Sequence, residues 1–312
     1  MAGPLAGVYY PNRMDGLHAL LQGSIDYAGL FPPAGLDMAA AVANYADYRR
    51  SADRWALGRF VVPAARLGEL EAAAADLVPS APSSDAWPLA VLLADAGGEE
   101  IRALGEFNCR HAAEGAPALS GDVVEVKADS VAAIERIAAA VPRYLQAYIE
   151  VPVAADPGPL VAAIGRAGAR AKVRTGGVTA DAFPAAADLA RFLDACAAAG
   201  VAFKATAGLH HPLRAEYRLT YRPDSASGTM YGFLNLFLAA AFLREGMSRD
   251  DAVRMLEERD PAAIRFTAGG VEWDVHRLEA AAIRRAREEG IVSFGSCSFT
   301  EPLTDLRRLG ML

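Results

Sequence analysis

One alternation limits the fold more than any other feature. Between residues 56 and 207 a short apolar run, a turn and an alanine-rich helical stretch keep returning in that order. Strands are predicted at 56–63 (ALGRFVVP), 88–94 (PLAVLLA), 123–128 (VVEVKA), 145–152 (LQAYIEVP), 169–175 (ARAKVRT) and 201–207 (VAFKATA). Helices are predicted at 67–77, 99–107, 131–140, 159–167 and 184–199, the last stopped by Gly200. Strands separated by helices must pair in parallel, because a parallel pair needs a crossover between its members. One rhythm continued over six strands favours an α/β fold of the (β/α)8-barrel type over a doubly wound sheet. No strand runs into the G-x-G-x-x-G turn of a dinucleotide-binding fold.

The pattern then loosens. Residues 209–228 read as a long loop, which in a compact domain is often functional. Helices are predicted at 229–244, 248–259 and 278–289, and a β-hairpin at 264–275 around Gly269-Gly270. A closing strand is predicted at 291–299, whereas 233–238 reads equally as a seventh barrel strand or as helix. Residues 1–50 read as an N-terminal capping segment and 51–312 as the barrel domain.

Composition removes several classes of function. The 312 residues suffice for one large core, and 53% hydrophobic content excludes a disordered chain. A net charge of −7 argues against a nucleic-acid partner. The cysteines Cys109, Cys196 and Cys297 are odd in number and widely spaced, so neither a disulfide framework nor a structural zinc site is expected. The N-terminus lacks the layout of a signal peptide, and no apolar run is long enough to span a bilayer. The expectation is a soluble, cytoplasmic protein with no membrane partner; whether it forms a homo-oligomer is left open.

Lysine usage points to the chemistry. Only Lys127, Lys172 and Lys204 are present among 31 basic residues, the rest being arginine. Exchange of lysine for arginine is tolerated at a solvated surface but not where a deprotonatable amine is required. All three lysines fall in predicted strands, and Lys172 and Lys204 lie just before glycines (KVRTGG, KATAG), at strand ends where a barrel builds its active site. Lys204, among Phe203, Ala205 and Ala207, is the expected special amine, with Lys172 and Arg174 supplying a nearby cation that lowers its pKa. The alternative role is electrostatic: these groups hold a carboxylate or phosphate. A plain reading also stands, in which each strand lysine pairs with Glu125 or Glu150. Glu150, closing its strand, is a candidate general base or counter-ion.

His210-His211 follows the sixth predicted strand, and adjacent residues on extended chain point to opposite sides, so one of the two is expected to face the site. Metal binding would need further ligands, such as Glu150 or Glu106. Neither H-x-H nor H-x-x-x-H spacing occurs, so no metal ligand is assigned, although a divalent metal stays open. Ser296 and Ser298, beside Gly295, are candidate anion-binding hydroxyls, and Thr206, Lys127 and Asn235 complete the substrate-binding set. Cys297 reads better as a buried inert thiol than as a nucleophile.

The segments KVRTGG, FKATAGLHHP, GFLNLF and SFGSCSFTEP resemble the signature segments of an uncharacterised bacterial and plant protein family, a resemblance that brings no activity with it. FKATAG is also similar to the F-[IV]-K-T-S-T-G strand of deoxyribose-phosphate aldolases, whose strand-six lysine forms a Schiff base. Lys204, Thr206 and Gly208 match that pattern. KVRTGG resembles the aldolases' second lysine segment, K-[AP]-[SA]-G-G, through Lys172, but precedes FKATAG here instead of following it. The resemblance implies a lyase of aldolase type, without cofactor, acting on a small anionic carbonyl metabolite through Lys204. Two other readings stand beside it: a metal-assisted lyase or hydrolase using His210 and His211, and a non-catalytic barrel that binds an anionic metabolite.

Overall fold

The computed structural model describes residues 14–95, 98–267 and 269–312. Eight parallel strands close a barrel. They are β1 (Ile25–Tyr27), β2 (Leu57–Pro63), β3 (Trp87–Leu92), β4 (Leu119–Lys127), β5 (Gln146–Glu150), β6 (Arg170–Arg174) and β7 (Phe203–Thr206), with β13 (Ile291–Ser296) set between β7 and β1. Two antiparallel sheets lie outside it. One pairs β8 (Ala215–Arg218) with β9 (Ser227–Met230); the other joins β10 (Ile264–Thr267), β11 (Gly270–Trp273) and β12 (His276–Glu279).

The barrel and the antiparallel hairpin expected near the C-terminus are both present. Three details differ from the sequence reading. Ile25–Tyr27, assigned to a capping segment, is a stave that pairs with β13 and β2, so the boundary at residue 50 cuts through the barrel. The part of that segment before residue 14 lies outside the described residues. Because β1 comes first, FKATAG is the seventh strand and KVRTGG the sixth. Residues 233–238 belong to the helix Phe233–Arg244, buried along nearly all its length, and the expected loop at 209–228 carries β8 and the start of β9. Among the described residues no helix is long and apolar enough to cross a membrane.

The staves alternate as a two-residue period requires. Their outward residues, among them Val62, Leu89, Val124, Ile149, Val173, Ala205 and Phe294, pack with the surrounding helices into the main core. Inside the barrel the apolar cluster is small: Val61, Ala90, Val123 and Tyr148, with Ala28, Phe31 and Leu92 against it. Much of the rest of the interior is charged. The register places Lys127 beside Glu150, Glu150 beside Lys172, Lys172 beside Lys204 and Lys204 beside Ser293.

The ends of β6 and β7 come close together, as the glycines after the two lysines suggested. A Cβ on Gly176 would sit 2.3 Å from Phe183 Cε1, and one on Gly208 2.7 Å from the same atom. Thr175 Oγ1 donates to the Ala207 carbonyl at 2.7 Å. Ala207 itself has φ 66°, a left-handed conformation that costs a residue with a side chain free energy and tends to occur at functional sites.

Candidate active site

A chain of alternating charge crosses the barrel interior. Asp26 of β1 receives the Lys204 ammonium at 2.5 Å, and Lys204 also donates to Glu125 Oε1 of β4 at 2.6 Å. The other oxygen of Glu125 is 2.7 Å from Lys172 Nζ, and Lys172 is 2.9 Å from Glu150 Oε2 of β5. One carboxylate thus bridges two lysines, each of which holds a second carboxylate. Ser293 Oγ (2.8 Å) and the Arg59 backbone N–H (2.8 Å) complete the shell of Asp26. Lys204 and Glu125 are only 2% and 3% exposed, and charges buried so deeply persist only when paired.

The pairing sets protonation. Burial by itself would raise the Glu125 carboxyl, but Lys172 and Lys204 outweigh it and hold it at about 2. Burial would lower the Lys204 ammonium; Asp26 and Glu125 outweigh that, and its pKa stands above the ordinary lysine value. This corrects the expectation of a depressed amine at Lys204. A carboxylate, and not the neighbouring cation, is the group nearest to it. Glu150 differs from the other acids: its buried Oε2 lies near Lys172 off the axis of a hydrogen bond and accepts none among the described residues. A buried oxygen with spare capacity calls for an explanation, and a substrate proton or hydroxyl is one.

Above this network the barrel opens at its C-terminal mouth into a cavity of about 360 Å³. That volume suits a small metabolite. Glu125, Glu150, Lys172 and Lys204 form its charged side, and Val61, Leu92, Ala28 and Phe31 its apolar side. Pro32 and Pro33, with Phe31, fold over from the loop after β1, so the N-terminal segment does reach the site. The lining cations Lys127, Lys172, Arg174 and Lys204 outnumber the lining carboxylates Glu125 and Glu150, and still exceed them by one when Asp26, the partner of Lys204, is counted.

The residues proposed from sequence divide into two groups. Lys172, Lys204, Glu150, His210, Arg174, Lys127 and Thr206 converge on the cavity. Lys127 does so at the rim, with a 79% exposed side chain 3.9 Å from Glu150. His210 lines the cavity and His211 does not, although the chain bends here and the two rings meet edge-on with centroids 6.4 Å apart. His211 stacks on Tyr217 and places Nδ1 2.6 Å from Asp305 Oδ2, outside the cavity lining. Burial, and behind it the neighbouring His211, pushes His210 down to about 4, so this imidazole is neutral near pH 7. His210 Nδ1 lies 3.8 Å from the Cys297 thiol, whose pKa burial raises.

Asn235, Ser296 and Ser298 do not reach the cavity. Ser296 has the opposite parity to Gly295, the inward residue of β13, and its Oγ accepts from the Ser298 N–H at 3.4 Å. Ser298 Oγ accepts the Glu301 N–H at the start of the helix Thr300–Arg308. Asn235 is a satisfied core amide: Oδ1 accepts the Arg214 N–H at 2.9 Å, and Nδ2 donates to the carbonyls of Met255 (2.8 Å) and Glu258 (2.9 Å). Asn235→Ala should cost about 2–3 kcal/mol of stability by stranding buried polar groups, measured by urea unfolding, and leave ligand affinity unchanged. A weakened ligand affinity without loss of stability would return Asn235 to the site.

Asp26 and Ser293 were not expected from sequence, and Glu125 was expected only as a counter-ion to a strand lysine, which it is to both Lys172 and Lys204. Asp26 had a visible signal, a carboxylate between Ile25 and Tyr27 in an otherwise apolar segment, where strands disfavour aspartate. Among the described residues no group of three or more His, Cys, Asp or Glu is placed to hold a metal ion. No protein-family model matches the chain, and no curated protein matches it.

Proposed function

We propose that the protein is a barrel enzyme of lyase or aldolase type acting on a small anionic carbonyl compound, with Lys172 as the imine-forming amine. The observation that carries this reading is the Lys172–Glu125–Lys204 bridge on the floor of a net-cationic cavity. Lys204 is the less available of the two amines, clamped at 2.5 and 2.6 Å on the side away from the mouth. Lys172, whose segment resembles the aldolases' second lysine segment and not their Schiff-base one, stands on the sixth strand with Glu150 beside it. In the proposed cycle Lys172 passes a proton to Glu150 and adds to the substrate carbonyl. Loss of water gives the imine, and Glu150 then moves the proton at the carbon whose bond is made or broken. Lys204 remains a fixed cation, and neutral His210 offers a hydrogen bond to a substrate oxygen.

The test is borohydride trapping with small aldehydes, keto acids and sugar phosphates, read by intact mass and peptide mapping. A reduced adduct confined to Lys172 is expected. An adduct on Lys204 would exchange the two roles. Saturable binding with no adduct and no turnover across the panel would instead favour a barrel that only binds anions.

A further inference from the structure

Beside the central cavity lies a second hollow of about 620 Å³, which shares Lys127, Glu150 and Arg174 with it. Lys127 comes from the end of β4 and Arg174 from the end of β6. Arg136 comes from the helix Val131–Ala140, and residues 151–153 after β5 form the floor. The acids in the lining are Glu150, already beside Lys172, and the exposed Asp129. Arg136 and Arg174 are exposed, and neither makes an ion pair or side-chain hydrogen bond among the described residues. The helix also turns its N-terminal end here: Ala133 lines the hollow, and Ser130 caps the helix by accepting the Ala133 N–H at 3.3 Å. Two unpaired guanidinium groups, an ammonium and the positive end of a helix thus surround a space continuous with the catalytic one.

We infer that this hollow is a subsite for a second anionic group, so that the substrate is a dianion. Its carbonyl would stand at Lys172 and its remote phosphate or carboxylate at Arg136, Arg174 and Lys127. The inference rests on the central site proposed above and narrows its substrate class. The subsite lies over strands β4 to β6, whereas phosphate sites in such barrels are commonly built after strands seven and eight. Guanidinium groups suit it because they bind carboxylate and phosphate through two parallel hydrogen bonds.

The experiment is calorimetric titration of the full chain with two pairs of probes: pyruvate against 2-oxoglutarate, and dihydroxyacetone against dihydroxyacetone phosphate. The wild type should bind one dianion at least about tenfold more tightly than its less charged partner. In the Arg136→Gln variant, whose residue lines this hollow and not the central cavity, that preference should fall below about threefold, while the affinity for the less charged probe of that pair stays unchanged. Which dianion is preferred distinguishes a phosphate from a second carboxylate. Equal affinities in the wild type, a preference that survives in the variant, or no binding by any probe overturns the subsite. Failure of the imine reading shows differently, as a missing borohydride adduct with the dianion preference intact.

Discussion

Lys172→Arg is expected to fold with a thermal midpoint within a few degrees of wild type and to lose turnover by about a thousandfold or more. The arginine keeps the positive charge between Glu125 and Glu150, and the cavity gives the larger head group room on one side. It cannot form an imine, because it stays protonated, so the borohydride adduct should vanish with the activity. Single-turnover assays and intact mass read the two together. A variant that keeps full turnover removes Lys172 from the chemistry. Lys204→Arg should behave differently. From the sequence alone it would be expected to fold normally, but Lys204 is 2% exposed and holds carboxylates at 2.5 and 2.6 Å, contacts that a bulkier guanidinium would have to rearrange. Its main effect should be on stability.

Glu125→Gln should produce the largest loss of stability of any single change in the barrel interior, about 3–5 kcal/mol, read as a fall in the urea midpoint. The substitution keeps the shape and removes the charge that two buried ammonium groups share. The same carboxyl shapes the acid limb of the stability curve. Its folded pKa of about 2 lies below its ordinary 4.5, so its contribution is present above pH 4.5 and is lost as the pH falls toward 2. That contribution is about 3 kcal/mol. The sign reverses for Lys204, whose raised pKa contributes fully below its ordinary 10.5 and is lost only in strong alkali. Glu125→Gln should flatten the wild-type fall between pH 4.5 and 2; an unchanged acid limb and midpoint would mean that the bridge contributes little.

The staves β2 to β7 were legible because each is an apolar run bounded by a helix, and β13 because it follows one. The stave β1 was not, since three residues cannot display a period, and its Asp26 was lost with it. Lysine scarcity led to the cavity: Lys172 and Lys204 both line it. Which lysine is clamped depends on β1 and β4 arriving from 178 and 79 residues away, a relation that local patterns do not encode. Asn235 misled for the opposite reason. A polar residue in an apolar run can serve a site or a core, and only its three partners decide between them.

The barrel interior is divided, with Glu150, Lys172 and Glu125 on one side of the cavity and Val61, Leu92 and Phe31 on the other. Hydrocarbon neither gives nor takes a proton. In the reaction proposed above, a planar carbon held between these walls would exchange hydrogen on one face only, so in heavy water a single enantiotopic position of the substrate should become labelled. The handedness of the product is then set by which staves carry the acids, before any contact with the rest of the substrate is considered.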